Sequence, residues 1–164
     1  MRSFINKQKK TKGFTLIELL VVIAIISILS SIVLVMLQGA RTRAKNGKAI
    51  AEIAQFGIAV YMLEVDTGLY PTEYTEELWI ELDLASAGIT SRESGDFPGW
   101  KGPYIDEIPL DPWGKKYYFY ETYPCAATIK GCEAIGSTTT KAVVSLGPDG
   151  IGRNSDDLVR VISE

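Results

Sequence analysis

The sequence predicts an α+β protein: a long N-terminal α-helix, transmembrane in its first half and amphipathic in its second, packed on a small antiparallel β-sheet head. Three observations predict it. Residues 14–37 form a 24-residue apolar run without proline. Beyond it, apolar positions recur at steps of three and four, the period of a helix with one buried face. Near the C-terminus, three runs rich in β-formers are separated by turn-prone residues.

The elements follow in order. Before Gly13 lie five bases, Arg2, Lys7, Lys9, Lys10 and Lys12, and no acid, so residues 1–13 read as a basic leader. As an α-helix the apolar run is about 36 Å long, enough to cross a bilayer core of about 30 Å. It is too long for the apolar region of an ordinary secretory signal, and no small-x-small cleavage site follows it. Thr15, Glu18, Ser27, Ser30 and Ser31 interrupt it. A collar of Arg41, Arg43, Lys45 and Lys48 comes next, and from Ala51 onward eight bases face 19 acids, a net charge of −11. Leader inside and acidic body outside is the expected orientation, giving a single-pass protein of the cytoplasmic membrane.

Residues 38–68 are expected to continue the helix, with Ile50, Ile53, Gly57, Val60 and Leu63 on the buried stripe and Phe56 alongside. Gly39 marks a soft point, since glycine inside a helix costs about 1 kcal/mol against alanine. Gly68 and Pro71 supply the stop. The head then spans residues 69–164. Residues 73–85 are expected to form a second short helix, with Leu78, Leu82 and Ala85 on one side. Residues 86–115, rich in Gly, Pro and Ser, read as loop. Strands are expected over 116–121, 141–146 and 158–163.

Composition removes much enzyme chemistry. The 164 residues contain no histidine, so no His-dependent triad, imidazole metal site or imidazole switch exists. Two cysteines cannot build a four-Cys zinc site. A net charge of −3 argues against nucleic acid as a direct partner. Asp106 and Asp111 could be taken as paired carboxylates, but their turn-rich surroundings give them a structural role. Glu18 needs a reason, because a carboxylate in a membrane helix costs about 2.5–3.5 kcal/mol at mid-bilayer. No Lys or Arg lies between Phe14 and Gln38 to neutralise it within the chain. Removing the leader would create a partner, a new α-amine at Phe14 on a neighbouring copy, and such a pair would fix the register of two apolar rods.

The run Lys12-Gly13-Phe14-Thr15-Leu16-Ile17-Glu18-Leu19-Leu20 resembles the class III signal of type IV pilins and type II secretion pseudopilins. The resemblance implies cleavage after Gly13 by a membrane prepilin peptidase and methylation of the new terminus at Phe14. It also implies pairing of Glu18 with the amine of an adjacent subunit. Further segments resemble the major pseudopilin branch: Leu69-Tyr70-Pro71-Thr72, Trp100-Lys101-Gly102-Pro103-Tyr104, Ile108-Pro109-Leu110-Asp111-Pro112-Trp113-Gly114 and Ser145-Leu146-Gly147-Pro148-Asp149-Gly150. The function implied is a structural filament subunit of type II protein secretion. Its expected partners are copies of itself, the peptidase, an inner-membrane assembly platform and minor pseudopilins, with membrane lipid around it before assembly. A type IV pilin for adhesion, motility or DNA uptake is the alternative, and a membrane-anchored binding protein or enzyme the more distant one.

Between Leu146 and Leu158 the sequence gathers Asp149, Asn154, Ser155, Asp156 and Asp157 among glycines. Calcium takes six to eight oxygen ligands from pliable loops, although a solvated acidic loop has the same composition. The resemblance implies calcium here, with Asp149 and Asp156 as side-chain ligands assisted by the Leu146 carbonyl. Asp157, Ser155 and the Ile151 carbonyl complete the candidate set. Cys125 and Cys132 enclose six residues, and outside the cytoplasm such a pair is expected to be oxidised into a stapled hairpin. The bridge is not a general feature of major pseudopilins and inclines towards the pilin alternative.

Overall fold

The computed structural model describes residues 13–71, 79–90, 97–136 and 138–162. The leader up to Lys12, the front of the expected second helix and the end of the expected last strand lie outside them. Helix α1 spans Leu16–Thr67 without a break, passing through Gly39. Clustering of contacts divides the chain into two units, residues 1–41 and 42–164. In the first, every described side chain is exposed. Among the described residues nothing covers its apolar surface. Ser27 and Ser31 donate their hydroxyls to the Ile23 and Ile28 carbonyls, each at 2.7 Å, so these polar interruptions are satisfied inside the helix, as an apolar solvent requires.

The second unit is the head. Its part of α1 buries Ala49, Ile53, Phe56, Gly57, Ala59, Val60 and Leu63. Ile50, expected on this stripe, is 38% exposed, and Phe56 takes the core place instead. Phe56 follows Ile53 by a step of three, and Val60 follows Phe56 by a step of four. Ile50 falls at the margin of that face and so borders the surface. The helix stops as expected: Gly68 adopts a φ of 72°, and its N–H donates to the Glu64 carbonyl at 2.7 Å.

Four antiparallel strands form one sheet in the order β1-β2-β3-β4: β1 Trp79–Glu81, β2 Tyr117–Cys125, β3 Thr138–Ser145 and β4 Leu158–Val161. β1 corrects the expected second helix. Residues 79–81 are extended and pair with Tyr118, Phe119 and Tyr120, and a short 3-10 turn follows at Ala85–Ala87. The Leu78–Leu82–Ala85 spacing suits a helix, but aromatic and β-branched residues at 79 and 80 gain more by extending a sheet rich in the same types. Burial follows the strand period: Ile80 is buried between half-buried Trp79 and Glu81.

Both faces of the sheet are covered. Tyr117, Phe119, Val143 and Leu158 pack with the helix, where the Phe56 and Tyr117 rings meet edge-on at 4.8 Å. Tyr120, Ala142, Val144 and Val159 pack on the other side with Cys125, Ile129 and Cys132. β2 is longer than expected because a bulge between Tyr120 and Tyr123 carries it past Glu121. The extra residue turns Tyr123 to the face shared with Tyr120, where strict alternation would oppose them. Pro124 pairs with Thr139 of β3 and lies beyond Tyr120, where β1 begins opposite at Trp79, so among the described residues it has no sheet partner on its other side.

Candidate functional site

The N-terminal site is built from the start of α1. Gly13 and Phe14 precede the helix, and the Phe14 side chain is 82% exposed. Thr15 is the N-cap, and Glu18 the third helical residue. The Thr15 N–H and hydroxyl both donate to Glu18 Oε2 at 2.8 Å, and the Glu18 N–H donates to Thr15 Oγ1 at 3.3 Å. This is a reciprocal capping box. The carboxylate also sits at the positive end of the helix dipole. Sequence reasoning fastened on the charge of Glu18 and missed its local partner, although Thr-x-x-Glu before an apolar run is the signal for such a cap. Phe14, Ile17, Glu18, Val21 and Val22 line one open apolar face of about 370 Å³. Chemically the site offers an accessible peptide bond after Gly13, a carboxylate held at a fixed position, and an unbroken apolar rod behind it.

The head carries the second candidate. In the loop between β3 and β4, Asp149 Oδ1 accepts from the Ile151 N–H and Oδ2 from the Asn154 side-chain amide, both at 2.8 Å. Asn154 Oδ1 accepts from the Asp156 N–H at 3.1 Å, and Asp156 Oδ2 lies 3.5 Å from the Asp149 nitrogen. Asp149 and Asp156 are thus brought together across the loop. The Ile151 N–H holds the Asp149 carboxyl below the usual carboxylate range, helped by the Asn154 amide. The Leu146 carbonyl accepts from the Gly150 N–H at 3.2 Å. The Ile151 and Ser155 side chains are exposed.

Asp157 is directed elsewhere. It is buried, and its Oδ2 accepts from the Tyr123 hydroxyl and from the Arg153 N–H at 2.6 Å. Burial pushes its carboxyl up despite these bonds. Its Oδ1 is buried with no hydrogen-bond partner. No group of three His, Cys, Asp or Glu side chains converges among the described residues. The loop fits calcium in kind, two carboxylates and a carbonyl being hard oxygen donors; further ligands would have to be backbone carbonyls or water.

Cys125 and Cys132 form a disulfide that closes the turn after β2. The turn lies against β4: the Val159 N–H donates to the Lys130 carbonyl at 2.9 Å. Gly131, with a φ of 104°, passes so near the Val159 carbonyl oxygen that a Cβ would stand 1.8 Å from it. Asp111 is structural, accepting from the Trp113 and Lys115 N–H groups at 3.0 and 2.8 Å and from the Ser145 hydroxyl at 2.7 Å, whereas Asp106 is exposed. The two do not form a carboxylate pair.

The prokaryotic N-terminal methylation motif matches residues 8–34, and the family described as type II secretion system (T2SS), protein G matches residues 36–161. The type II secretion system core protein G of Klebsiella pneumoniae is 30% identical over 150 residues, covering 92% of this chain and 94% of that protein. That of Vibrio cholerae is 32% identical over 145 residues, covering 88% and 86%. That of Escherichia coli is 30% identical over 151 residues, covering 91% and 90%.

Proposed function

The chain belongs to the type II secretion system protein G family, and from that membership we propose how it acts as the major pseudopilin, the structural subunit of a secretion filament. The observation that carries this reading is the joint match of the methylation motif and the protein G family across nearly the whole chain. The role is structural rather than enzymatic, in keeping with a chain that lacks histidine and uses its buried acids to hold turns.

The sequence of events follows from the site. The precursor is held in the cytoplasmic membrane by residues 14–37, with its leader inside and its head outside. A prepilin peptidase cleaves after Gly13, and the amine of Phe14 is methylated. The capping box lies wholly beyond the cut, so the helix keeps its N-terminal hydrogen bonds when the leader leaves. Exposed rods then pack side by side, Glu18 of one copy meeting the amine of the next, and the heads form the outer surface. An inner-membrane platform and minor pseudopilins are the expected assembly partners. Calcium held by Asp149, Asp156 and the Leu146 carbonyl would tie the two ends of the β3–β4 loop together.

Mass spectrometry of the mature N-terminus tests the processing step. In cells with the peptidase the chain is expected to begin at methylated Phe14, and in cells without it the leader is expected to remain. A leader retained in both backgrounds overturns the reading.

A further inference from the structure

Two depressions adjoin where α1 passes β4 in the head. One, of about 430 Å³, is bordered by Ile50, Ile53 and Ala54 of α1, Val159 of β4 and Ile135 of the disulfide turn. The other, of about 150 Å³, is bordered by Gly57, Ile58 and Tyr61 of α1 with Ile162. Arg160 borders both. The stem of Arg160 crosses the helix over Gly57, where a Cβ would come within 3.0 Å of its Cγ. Arg160 is exposed and forms no ion pair among the described residues. Ile58 is 58% exposed, and β4 is an edge strand. The result is a groove with apolar pockets on either side of a cation that has no ion-pair partner among the described residues.

The same chain carries the complement. In residues 105–110, Ile-Asp-Glu-Ile-Pro-Leu, both acids are exposed and Leu110 is 52% exposed. Among the described residues most other head acids are engaged, for example Glu52, Asp66, Glu81 and Asp83 by lysines of the same chain and Asp149 by Asn154. Asp106 and Glu107 have no such partner among the described residues. Glu121 is exposed too, but its flanking Tyr120 and Tyr123 are turned into the core, so it brings no apolar anchor. Pro109 limits backbone pairing and favours insertion by side chains.

We propose that this groove receives residues 105–110 of a second copy of the chain, with Arg160 pairing with Asp106 or Glu107 and Leu110 filling an apolar pocket beside it. The inference rests on the assembly reading above and adds the head contact to it. Groove and plug are separate patches; placed head-to-tail, such a contact builds an open helix when its rotation does not close a ring. Charge complementarity of this kind also fixes which neighbour is accepted and in what register.

Charge exchange tests it in the full-length chain, assembled in cells and measured as sheared filament. Arg160→Glu is expected to lower filament yield roughly tenfold, as loss of one partner of a desolvated charge pair does. Asp106→Arg with Glu107→Arg should do the same, and the three substitutions together should restore assembly. Monomer abundance and an intact Cys125–Cys132 bridge control for folding. Independently, Ile58→Cys combined with Leu110→Cys should give a ladder of oxidised oligomers that neither single variant gives. Normal filament yield with Arg160→Glu, no rescue by the triple variant, or filaments without the ladder would each overturn the interface alone. A wild-type chain that builds no filament would defeat the assembly reading and this contact with it.

Discussion

Asp66, at the end of α1, accepts from the Lys101 ammonium at 2.7 Å and from the Tyr104 hydroxyl at 3.0 Å, which ties the helix end to the loop before β2. Lys101 first, then Tyr104, holds its carboxyl below the usual range. A depressed carboxylate contributes stability that is complete above its unfolded pKa and lost as pH falls through the folded one. Wild type is therefore expected to lose thermal stability on acidification from about pH 5 to about pH 3 more steeply than Lys101→Met. Parallel curves would show that the pair contributes nothing. Asp149 allows a second test at this scale. Calcium is expected to raise the melting temperature of the full chain and to leave Asp149→Ala unchanged, so an equal rise in both proteins would remove the proposed site. The sequence placed Asp157 beside Asp149 and Asp156 as a further candidate ligand, yet its carboxylate is buried away from theirs. Asp157 is claimed by Tyr123, 34 residues away. That pairing depends on the β2 bulge, and no local pattern encodes it.

Elements were legible where a single period governed them. The length of α1, its stop at Gly68 and the cores of β3 and β4 were readable because each follows from spacing within one segment. β1 was not, because its three residues become a strand only when Tyr118–Tyr120 supply an edge to pair with. The groove beside β4 was hidden for a similar reason: Gly57, Ile135 and Arg160 come from three separate segments. The disulfide turn was visible as a cysteine pair, but its position against β4 was not. That position gives the bridge two tasks, closing a short loop and supporting one wall of the groove. Replacing Cys125 and Cys132 together with alanine should cost about 2–3 kcal/mol in the chain-entropy model. Denaturant unfolding of the full chain measures this, and an unchanged midpoint with unchanged slope would show the turn to be held by its backbone bonds alone.

At the scale of the whole molecule, each unit has an exposed surface among the described residues: the apolar rod of residues 16–41 in one and the groove in the head. A chain that leaves so much apolar surface exposed needs lipid or copies of itself to cover it. Apolar contact alone does not fix axial position, since similar rods can slide past one another at little cost. Glu18 is the one charged residue between Phe14 and Gln38, and so the feature able to set that position. It caps the helix, and under the proposed assembly it also sets the register, two duties that substitution can separate. Glu18→Gln keeps an oxygen for the Thr15 N–H and hydroxyl, so the cap survives, but it removes the charge that an amine would seek. If charge governs assembly, Glu18→Gln lowers filament yield as far as Glu18→Ala, while circular dichroism of the membrane-embedded monomer shows equal helix content. If the cap governs it, Glu18→Gln assembles like wild type and only Glu18→Ala fails. Equal failure is the expected result, because one helix cap contributes about 1 kcal/mol to a helix 52 residues long, whereas a misplaced register repeats its cost at every subunit added to the filament.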